Sequence, residues 1–131
     1  MSGNEAQEKV IFTVLFVDDE PNILRAIKRA LFTLDINLLL AESGAKALEL
    51  LSSQDVHGVI SDMKMPQMSG AELLEQVALR YPDTFRVVLT GYADIESTIK
   101  AVNQGKIHRY LQKPWDNQEL IRVIEEGLER V

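Results

Sequence analysis

Apolar residues along this chain fall into five short runs, and a longer segment with helical spacing follows each run. The runs cover residues 11–17, 36–41, 56–61, 85–90 and 107–112. The first, third and fourth runs are almost continuously apolar, which is typical of strands that are covered on both faces of a sheet. The pattern therefore predicts parallel strands that alternate with helices.

The five intervening segments repeat apolar residues at intervals of three and four, which predicts amphipathic helices. Their apolar positions are, in chain order, Ile23, Leu24, Ile27 and Leu31; Ala47, Leu48 and Leu51; Leu73, Leu74, Val77 and Ala78; Ile95, Ile99 and Val102; and Leu120, Ile121, Ile124 and Leu128. Strands and helices that alternate in this way imply right-handed crossovers and a three-layer α/β sandwich.

The domain organisation follows from the positions of these segments. Residues 1–9 are polar and lack the basic start and apolar centre of a signal peptide, so we expect an N-terminal extension there. Residues 10–131 suffice for one domain. The chain ends just after the fifth helical segment, so we expect either a stand-alone domain or a piece of a longer protein.

Composition narrows the classes of protein that the chain can belong to. Apolar residues make up 46% and charged residues 26%, as in ordinary globular domains. The absence of cysteine excludes disulfides and thiolate metal sites, and fits the cytoplasmic location that we expect. The net charge of −6 argues against direct nucleic-acid binding. No apolar run approaches the roughly 20 residues of a membrane span, so we expect no membrane partner.

Polar residues that suit phosphate chemistry follow four of the apolar runs. Asp18 and Asp19 follow the first run, Asp62 the third, Thr90 the fourth and Lys113 the fifth. The carboxyl ends of parallel strands share one edge of the sheet, where α/β proteins bind ligands. Three carboxylates at one place repel each other unless a cation joins them, and Mg²⁺ prefers oxygen ligands. A hydroxyl and an ammonium group beside that ion would complete a phosphoryl pocket.

Each of these residues also has an ordinary explanation: acids near the start of a helix, turn residues and a surface lysine. We interpret Gly91 as leaving space where another group approaches the backbone. His57 and His108 lie in strand patterns, and we interpret them as structural. The signals gain weight together because they follow four different strands.

Four sequence pieces carry a resemblance to a known family. They are Val17-Asp18-Asp19-Glu20-Pro21, Ser61-Asp62-Met63-Lys64-Met65-Pro66-Gln67-Met68-Ser69-Gly70, Leu89-Thr90-Gly91-Tyr92 and Tyr110-Leu111-Gln112-Lys113-Pro114-Trp115. With these pieces the chain resembles the receiver domain of two-component response regulators. The resemblance implies a flavodoxin-like (βα)₅ fold with a parallel sheet in the order 2-1-3-4-5.

The resemblance also implies a role for each site residue. Asp62 is the expected phosphoacceptor, a carboxylate nucleophile that forms an acyl phosphate. Asp19, Asp62 and the backbone carbonyl of Lys64 would ligate Mg²⁺ directly, and Asp18 would act mainly through a bound water. Lys113 would share with the metal the neutralisation of the phosphoryl oxygens.

A switch and a set of partners follow from the same resemblance. Thr90 would donate a hydrogen bond to the phosphorylated aspartate, and Tyr110 would swing inward, which changes the surface of helix 4, strand 5 and helix 5. The phosphoryl donor would be a sensor histidine kinase, a phosphotransfer protein or a small acyl phosphate. Receivers usually control an effector domain, which is missing from this chain, and phosphorylation would promote a homodimer.

Two other functions compete with this reading. One is an aspartyl-phosphate phosphatase of the haloacid dehalogenase type, which carries Asp-x-Asp on its first strand, whereas the acids here are adjacent and Asp62 is on the third. The other is a receiver-like module that binds partners without phosphorylation, against which the complete acid set, Thr90 and Lys113 argue. The stretch 102–115 is similar to receivers joined to cyclic-diguanylate phosphodiesterases or enhancer-type transcription regulators.

Overall fold

A computed structural model of the chain describes residues 10–130, apart from the side chain of Tyr92. The extension expected over residues 1–9 lies outside the described residues. Five parallel strands form one sheet in the order β2-β1-β3-β4-β5, as the sequence predicts. The strands are β1 (Phe12–Val17), β2 (Ile36–Ala41), β3 (Gly58–Asp62), β4 (Phe85–Thr90) and β5 (Arg109–Gln112).

Five helices connect and follow these strands, so the flavodoxin-like (βα)₅ fold is confirmed. The helices are α1 (Pro21–Ala30), α2 (Gly44–Ser53), α3 (Gly70–Arg80), α4 (Ile95–Asn103) and α5 (Asn117–Leu128). A short 3₁₀ turn, Tyr92–Asp94, precedes α4. Pro21 occupies the start of α1, where its missing N–H removes no helical hydrogen bond.

Two hydrophobic cores cover the two faces of the sheet. Along β1, Val14 and Phe16 pack with residues of α1 and α5, whereas Leu15 and Val17 pack with residues of α2, α3 and α4. This alternation gives the three-layer sandwich. Each fully buried aliphatic or aromatic side chain stabilises the fold by roughly 1.5–3 kcal/mol, so the sheet is a rigid base for the residues at its edges.

Two strands begin two residues later than predicted, because a histidine precedes each of them. The His57 ring accepts a hydrogen bond at Nδ1 from the Thr13 N–H, 3.0 Å away, and the His57 N–H donates to the Thr13 carbonyl. His108 makes the same pair of bonds with Arg86, and the distance to its Nδ1 is 2.9 Å. Both histidines therefore extend the sheet with an imidazole in place of a backbone carbonyl.

Helix α4 faces the sheet differently from the prediction. The apolar spacing placed Ile99 on the buried side, yet its side chain is 42% exposed. Thr98 and Ala101 are the buried residues of the helix. A polar residue is accommodated there because the Thr98 hydroxyl donates a hydrogen bond to Thr90.

Candidate functional site

The carboxyl edge of the sheet brings together the three acids that the sequence predicted. Asp62 ends β3, and Asp18 and Asp19 directly follow β1. One carboxylate oxygen from each of the three residues lies within 4.8 Å of the others. Strand pairing explains this proximity, because β1 and β3 are direct neighbours in the sheet.

Asp18 is the most constrained of these acids, with a side chain only 1% exposed. Its Oδ1 accepts a hydrogen bond from the Glu20 N–H at 2.9 Å. Its Oδ2 is buried without a hydrogen-bond partner among the residues that the structure describes. Burial, with a smaller contribution from the nearby Asp62 carboxylate, raises the pKa of Asp18 to about 6. A buried carboxylate oxygen of this kind fits a hard divalent cation, which takes oxygen ligands.

Lys113 supplies the positive charge that the sequence placed at this edge. Its Nζ lies 2.5 Å from Asp62 Oδ1, and its side chain remains partly exposed. Its N–H donates to the Thr90 carbonyl at 2.8 Å, which extends the β4–β5 pairing by one residue. The Lys113–Pro114 peptide bond is cis, and Trp115 packs against the core formed with α1 and α5.

The loop after β3 is closely packed against the end of its own strand. The Met63 N–H donates to the Leu89 carbonyl at 2.9 Å, and the Gly70 N–H donates to the Met63 carbonyl at 2.8 Å. A side chain at Gly70 would place its Cβ 2.2 Å from the Asp62 carbonyl oxygen. Only glycine fits that position, so the start of α3 lies directly against Asp62.

The tip of the same loop contains a strained turn. Gln67 has a φ of 70°, and the Met68 N–H donates to the Pro66 carbonyl across it at 2.7 Å, which forms a γ-turn. Ser69 and Glu72 then form a capping box at the start of α3. Lys64 lies in this loop, two residues after Asp62, and its side chain is exposed.

Thr90 and Tyr110 occupy neighbouring strands but differ in exposure. Thr90 is fully buried at the end of β4 and donates to the Gly91 carbonyl at 3.2 Å. Tyr110 lies on β5 and is 37% exposed. A Cβ added at Gly91 would meet nothing within 4 Å, so no described part of the chain approaches the backbone closely there, and the interpretation of Gly91 as space for another group stays a prediction.

The sequence reasoning missed one residue beside the site, Thr98. It lies three residues after Ile95 and four before Val102, so it shares a helix face with both. That spacing could have indicated that Thr98 is buried, but a search for apolar residues passes over a threonine.

Comparison with known proteins identifies the family. A family model described as the response regulator receiver domain matches residues 14–125. The chain therefore belongs to the response-regulator receiver domain family. This membership and the strand positions of the acids leave the haloacid dehalogenase reading without support. Among the described helices, none has the length and apolar character needed to cross a membrane.

The curated relatives include longer proteins, and solved structures include receivers alone. The hydrogenase transcriptional regulatory protein HoxA of Cupriavidus necator is 37% identical over 117 residues, which is 89% of this chain but 24% of HoxA. The chain thus spans about a quarter of such relatives.

Two solved structures are more similar in sequence. The signal receiver domain of an HD domain-containing protein from Pseudomonas fluorescens Pf-5 is 41% identical with a TM-score of 0.86, over 92% of this chain and 96% of that one. An uncharacterized protein from Neptuniibacter caesariensis is 50% identical with a TM-score of 0.88, over 91% and 88% of the two chains.

Proposed function

We propose that Asp62 accepts a phosphoryl group from the phosphohistidine of a sensor histidine kinase or phosphotransfer protein, or from a small acyl phosphate. The observation that carries the proposal is the 2.5 Å contact between Lys113 Nζ and Asp62 Oδ1 beside two further carboxylates. Asp62 thereby supplies an oxygen nucleophile, and Lys113 supplies a positive charge next to it for the incoming phosphoryl oxygens.

The transfer is a displacement at phosphorus. An Asp62 carboxylate oxygen attacks, a P–O bond forms and the P–N bond to the donor imidazole breaks, and its electron pair stays on the ring nitrogen. Lys113 moves from the carboxylate to a phosphoryl oxygen and offsets the added negative charge. Hydrolysis of the acyl phosphate later returns Asp62 to its free form. The domain thus catalyses its own phosphorylation and dephosphorylation, and it is not an enzyme that acts on a separate substrate.

The acids at this edge suit Mg²⁺ binding. Asp18, Asp19, Asp62 and the backbone carbonyl of Lys64 would hold the ion, and Asp18 would act mainly through a bound water. When bound, the ion supplies positive charge to the phosphoryl oxygens. The unpartnered Oδ2 of Asp18 supports this assignment.

The output of phosphorylation runs through Thr90 and Tyr110. Thr90 turns its hydroxyl to a phosphoryl oxygen, Tyr110 moves inward from its half-exposed position, and the α4–β5–α5 surface changes shape. That surface carries two exposed hydrophobic residues, Ile99 on α4 and Tyr110 on β5, which supports a phosphorylation-dependent homodimer. HoxA is named as a transcriptional regulator and the Pseudomonas receiver belongs to an HD domain-containing protein. We infer that this domain likewise controls an effector, in the cytoplasm.

The phosphoacceptor is tested by incubation with acetyl phosphate and Mg²⁺, followed by intact mass. We expect the parent to gain one phosphoryl group, and Asp62→Asn or removal of Mg²⁺ by EDTA to abolish the gain. Asp55→Asn is a matched control, because Asp55 is exposed near the opposite edge of the sheet. An Asp62→Asn protein that still gains one phosphoryl group would refute the assignment. A parent that gains none favours a binding module without phosphorylation.

The dimer is tested by sedimentation with and without beryllofluoride, which mimics the phosphoryl group. We expect beryllofluoride to shift the parent toward a dimer and Tyr110→Ala to reduce the shift. Phe32→Ala is the control, because Phe32 is 82% exposed between α1 and β2, and β2 is the outer strand on the side of the sheet opposite β5. Monomers in both states would exclude the homodimer while leaving the phosphoacceptor in place.

A further inference from the structure

Helix α4 holds a buried hydroxyl group against Thr90. Thr98 is fully buried, and its Oγ1 donates a hydrogen bond to Thr90 Oγ1 at 3.1 Å. The Thr90 hydroxyl in turn donates to the Gly91 carbonyl at 3.2 Å. Both the acceptor side and the donor side of the Thr90 hydroxyl are therefore engaged.

The Thr98 bond is a tertiary contact between α4 and β4. A threonine in a helix can instead donate to a carbonyl of the preceding turn, which leaves neighbouring elements free. Ser97 makes that local bond, to the Asp94 carbonyl at 3.1 Å. Thr98 reaches across to Thr90, and the helix leaves Ile99 exposed while Thr98 is buried.

We propose that Thr98 is a positioning residue that holds Thr90 in its resting position and thereby sets the threshold for switching. The proposal rests on the proposed function, in which the Thr90 hydroxyl donates to a phosphoryl oxygen on Asp62. Thr90 must then release the Gly91 carbonyl, and its oxygen must move away from Thr98 or take α4 with it. Thr98 couples the position of α4 to the chemistry at Asp62.

The direction of the effect follows from burial. A Thr98 hydroxyl that loses Thr90 exchanges that bond either for a local bond to a carbonyl of the preceding turn or for none, and a buried hydroxyl without a partner is unfavourable. The bond therefore favours the resting position. Removing the Thr98 hydroxyl without changing the side-chain shape should make switching easier, by about tenfold in the equilibrium.

The test is a titration of beryllofluoride with Mg²⁺, read by Trp115 fluorescence and by the backbone amide resonance of Gly91. We expect Thr98→Val to bind about tenfold more tightly than the parent. Thr98→Ser keeps the hydroxyl and should stay within about twofold of the parent. Thr84→Val is a matched control, because the buried Thr84 hydroxyl donates to the Val56 carbonyl at 3.2 Å, at the other edge of the sheet.

A double-mutant cycle separates positioning from general packing. If Thr98 acts through Thr90, Thr98→Val has no effect on beryllofluoride affinity in a Thr90→Val background. Urea unfolding confirms that each variant is folded, and Thr98→Ala replaces Thr98→Val if the latter is not.

Other results overturn the proposal. One is equal beryllofluoride affinity of Thr98→Val, Thr84→Val and the parent. Another is weaker beryllofluoride binding by Thr98→Val. The third is an effect of Thr98→Val on affinity that is as large in the Thr90→Val background as in the parent. In each case the parent still responds, and the proposed function stands. A parent protein that responds neither to beryllofluoride nor to acetyl phosphate would overturn both the proposed function and the role of Thr98.

Discussion

The two edges of the sheet treat buried polar groups in opposite ways. At the carboxyl edge, Asp18 keeps a buried oxygen without a hydrogen-bond partner, beside Asp19 and Asp62. At the amino edge, the buried Arg86 guanidinium donates to the carbonyls of Pro82, Thr84, Gly105 and Lys106, at distances between 2.8 and 3.3 Å. One edge satisfies its polar groups within the chain, and the other retains binding capacity for something outside it.

Backbone conformation shows the same contrast. In the described part of the chain, each edge has one loop residue in the left-handed region: Gly105 at the amino edge, with a φ of 78°, and Gln67 at the carboxyl edge, with a φ of 70°. Glycine adopts this conformation without steric conflict, whereas a side chain makes it unfavourable. Among residues 10–130, the strain of a positive φ at a residue with a side chain is therefore found only in the loop that follows Asp62, next to the proposed chemistry.

The largest effect on stability should come from Arg86. Arg86→Met removes the donors to four carbonyl oxygens, so we expect the free energy of unfolding to fall by about 3 kcal/mol. Arg86→Lys keeps the charge but not the planar arrangement of donors, so its free energy of unfolding should lie between those of the parent and Arg86→Met. Urea unfolding measures this, and a loss below about 1 kcal/mol would show that the amino edge does not depend on Arg86.

The carboxyl edge should respond in the opposite direction. The raised pKa of Asp18, about 6, means that its ionised carboxylate is less stable in the folded chain than in the unfolded one. Asp18→Asn removes that buried charge, so in EDTA at neutral pH we expect a gain of about 1–2 kcal/mol in the free energy of unfolding. Mg²⁺ should stabilise this variant less than the parent. Asp55→Asn should leave stability unchanged. A destabilised Asp18→Asn protein would mean that the acidic cluster is not strained.

The amino edge should be sensitive to pH through His108. Burial lowers the pKa of His108 to about 4, with Arg86 and Arg130 contributing, against an ordinary value of 6.5. Below pH 6.5 the unfolded chain takes up a proton that the folded chain refuses, so the stability from neutral His108 is complete above 6.5 and is lost as pH falls toward 4.

His108→Asn keeps an acceptor for the Arg86 N–H but does not titrate. Between about pH 7.5 and pH 5, we expect the parent to lose roughly 1–2 kcal/mol more than this variant, after allowance for solvent screening of the partly exposed ring. Parallel curves of unfolding free energy against pH would show that His108 does not titrate in this way.

The smallest effect should come from the strained turn. Gln67→Gly should raise the free energy of unfolding by about 0.5–1 kcal/mol, because relief at the positive φ exceeds the added freedom of the unfolded chain. Gln67→Ala keeps the strain and is the control. Thermal unfolding of both variants measures the difference, and equal stability would place the strain elsewhere.

The sequence predicted the carboxyl edge better than the amino edge. Asp18, Asp62, Thr90 and Lys113 each lie at the end of a strand or directly after it, and parallel pairing alone brings strand ends together. The amino edge depends on side chains that reach carbonyls in other loops, as Arg86 does within an otherwise apolar strand. Such contacts leave no periodic signal.

Tertiary context also decided which face of α4 is buried. The apolar spacing indicated Ile99, but a hydrogen bond to Thr90 allows Thr98 to occupy the inner position, and spacing cannot register a partner on another strand. Similarly, the sequence analysis singled out Gly91 and not Gly70, although it is Gly70 that another part of the chain approaches closely. Both are loop glycines, and only the packing of α3 against the Asp62 carbonyl separates them.

The acids and the lysine come from strands that are far apart along the chain but lie within four consecutive strands of the sheet. Asp18 precedes the first helix and Lys113 precedes the last, so their meeting requires β1, β3, β4 and β5 to be paired together. A chain still emerging from the ribosome, or one caught in a partly folded state, has the individual residues but no site. Under the proposed function, the ability to accept a phosphoryl group is thus a property of the completed fold, and a partly folded copy lacks it.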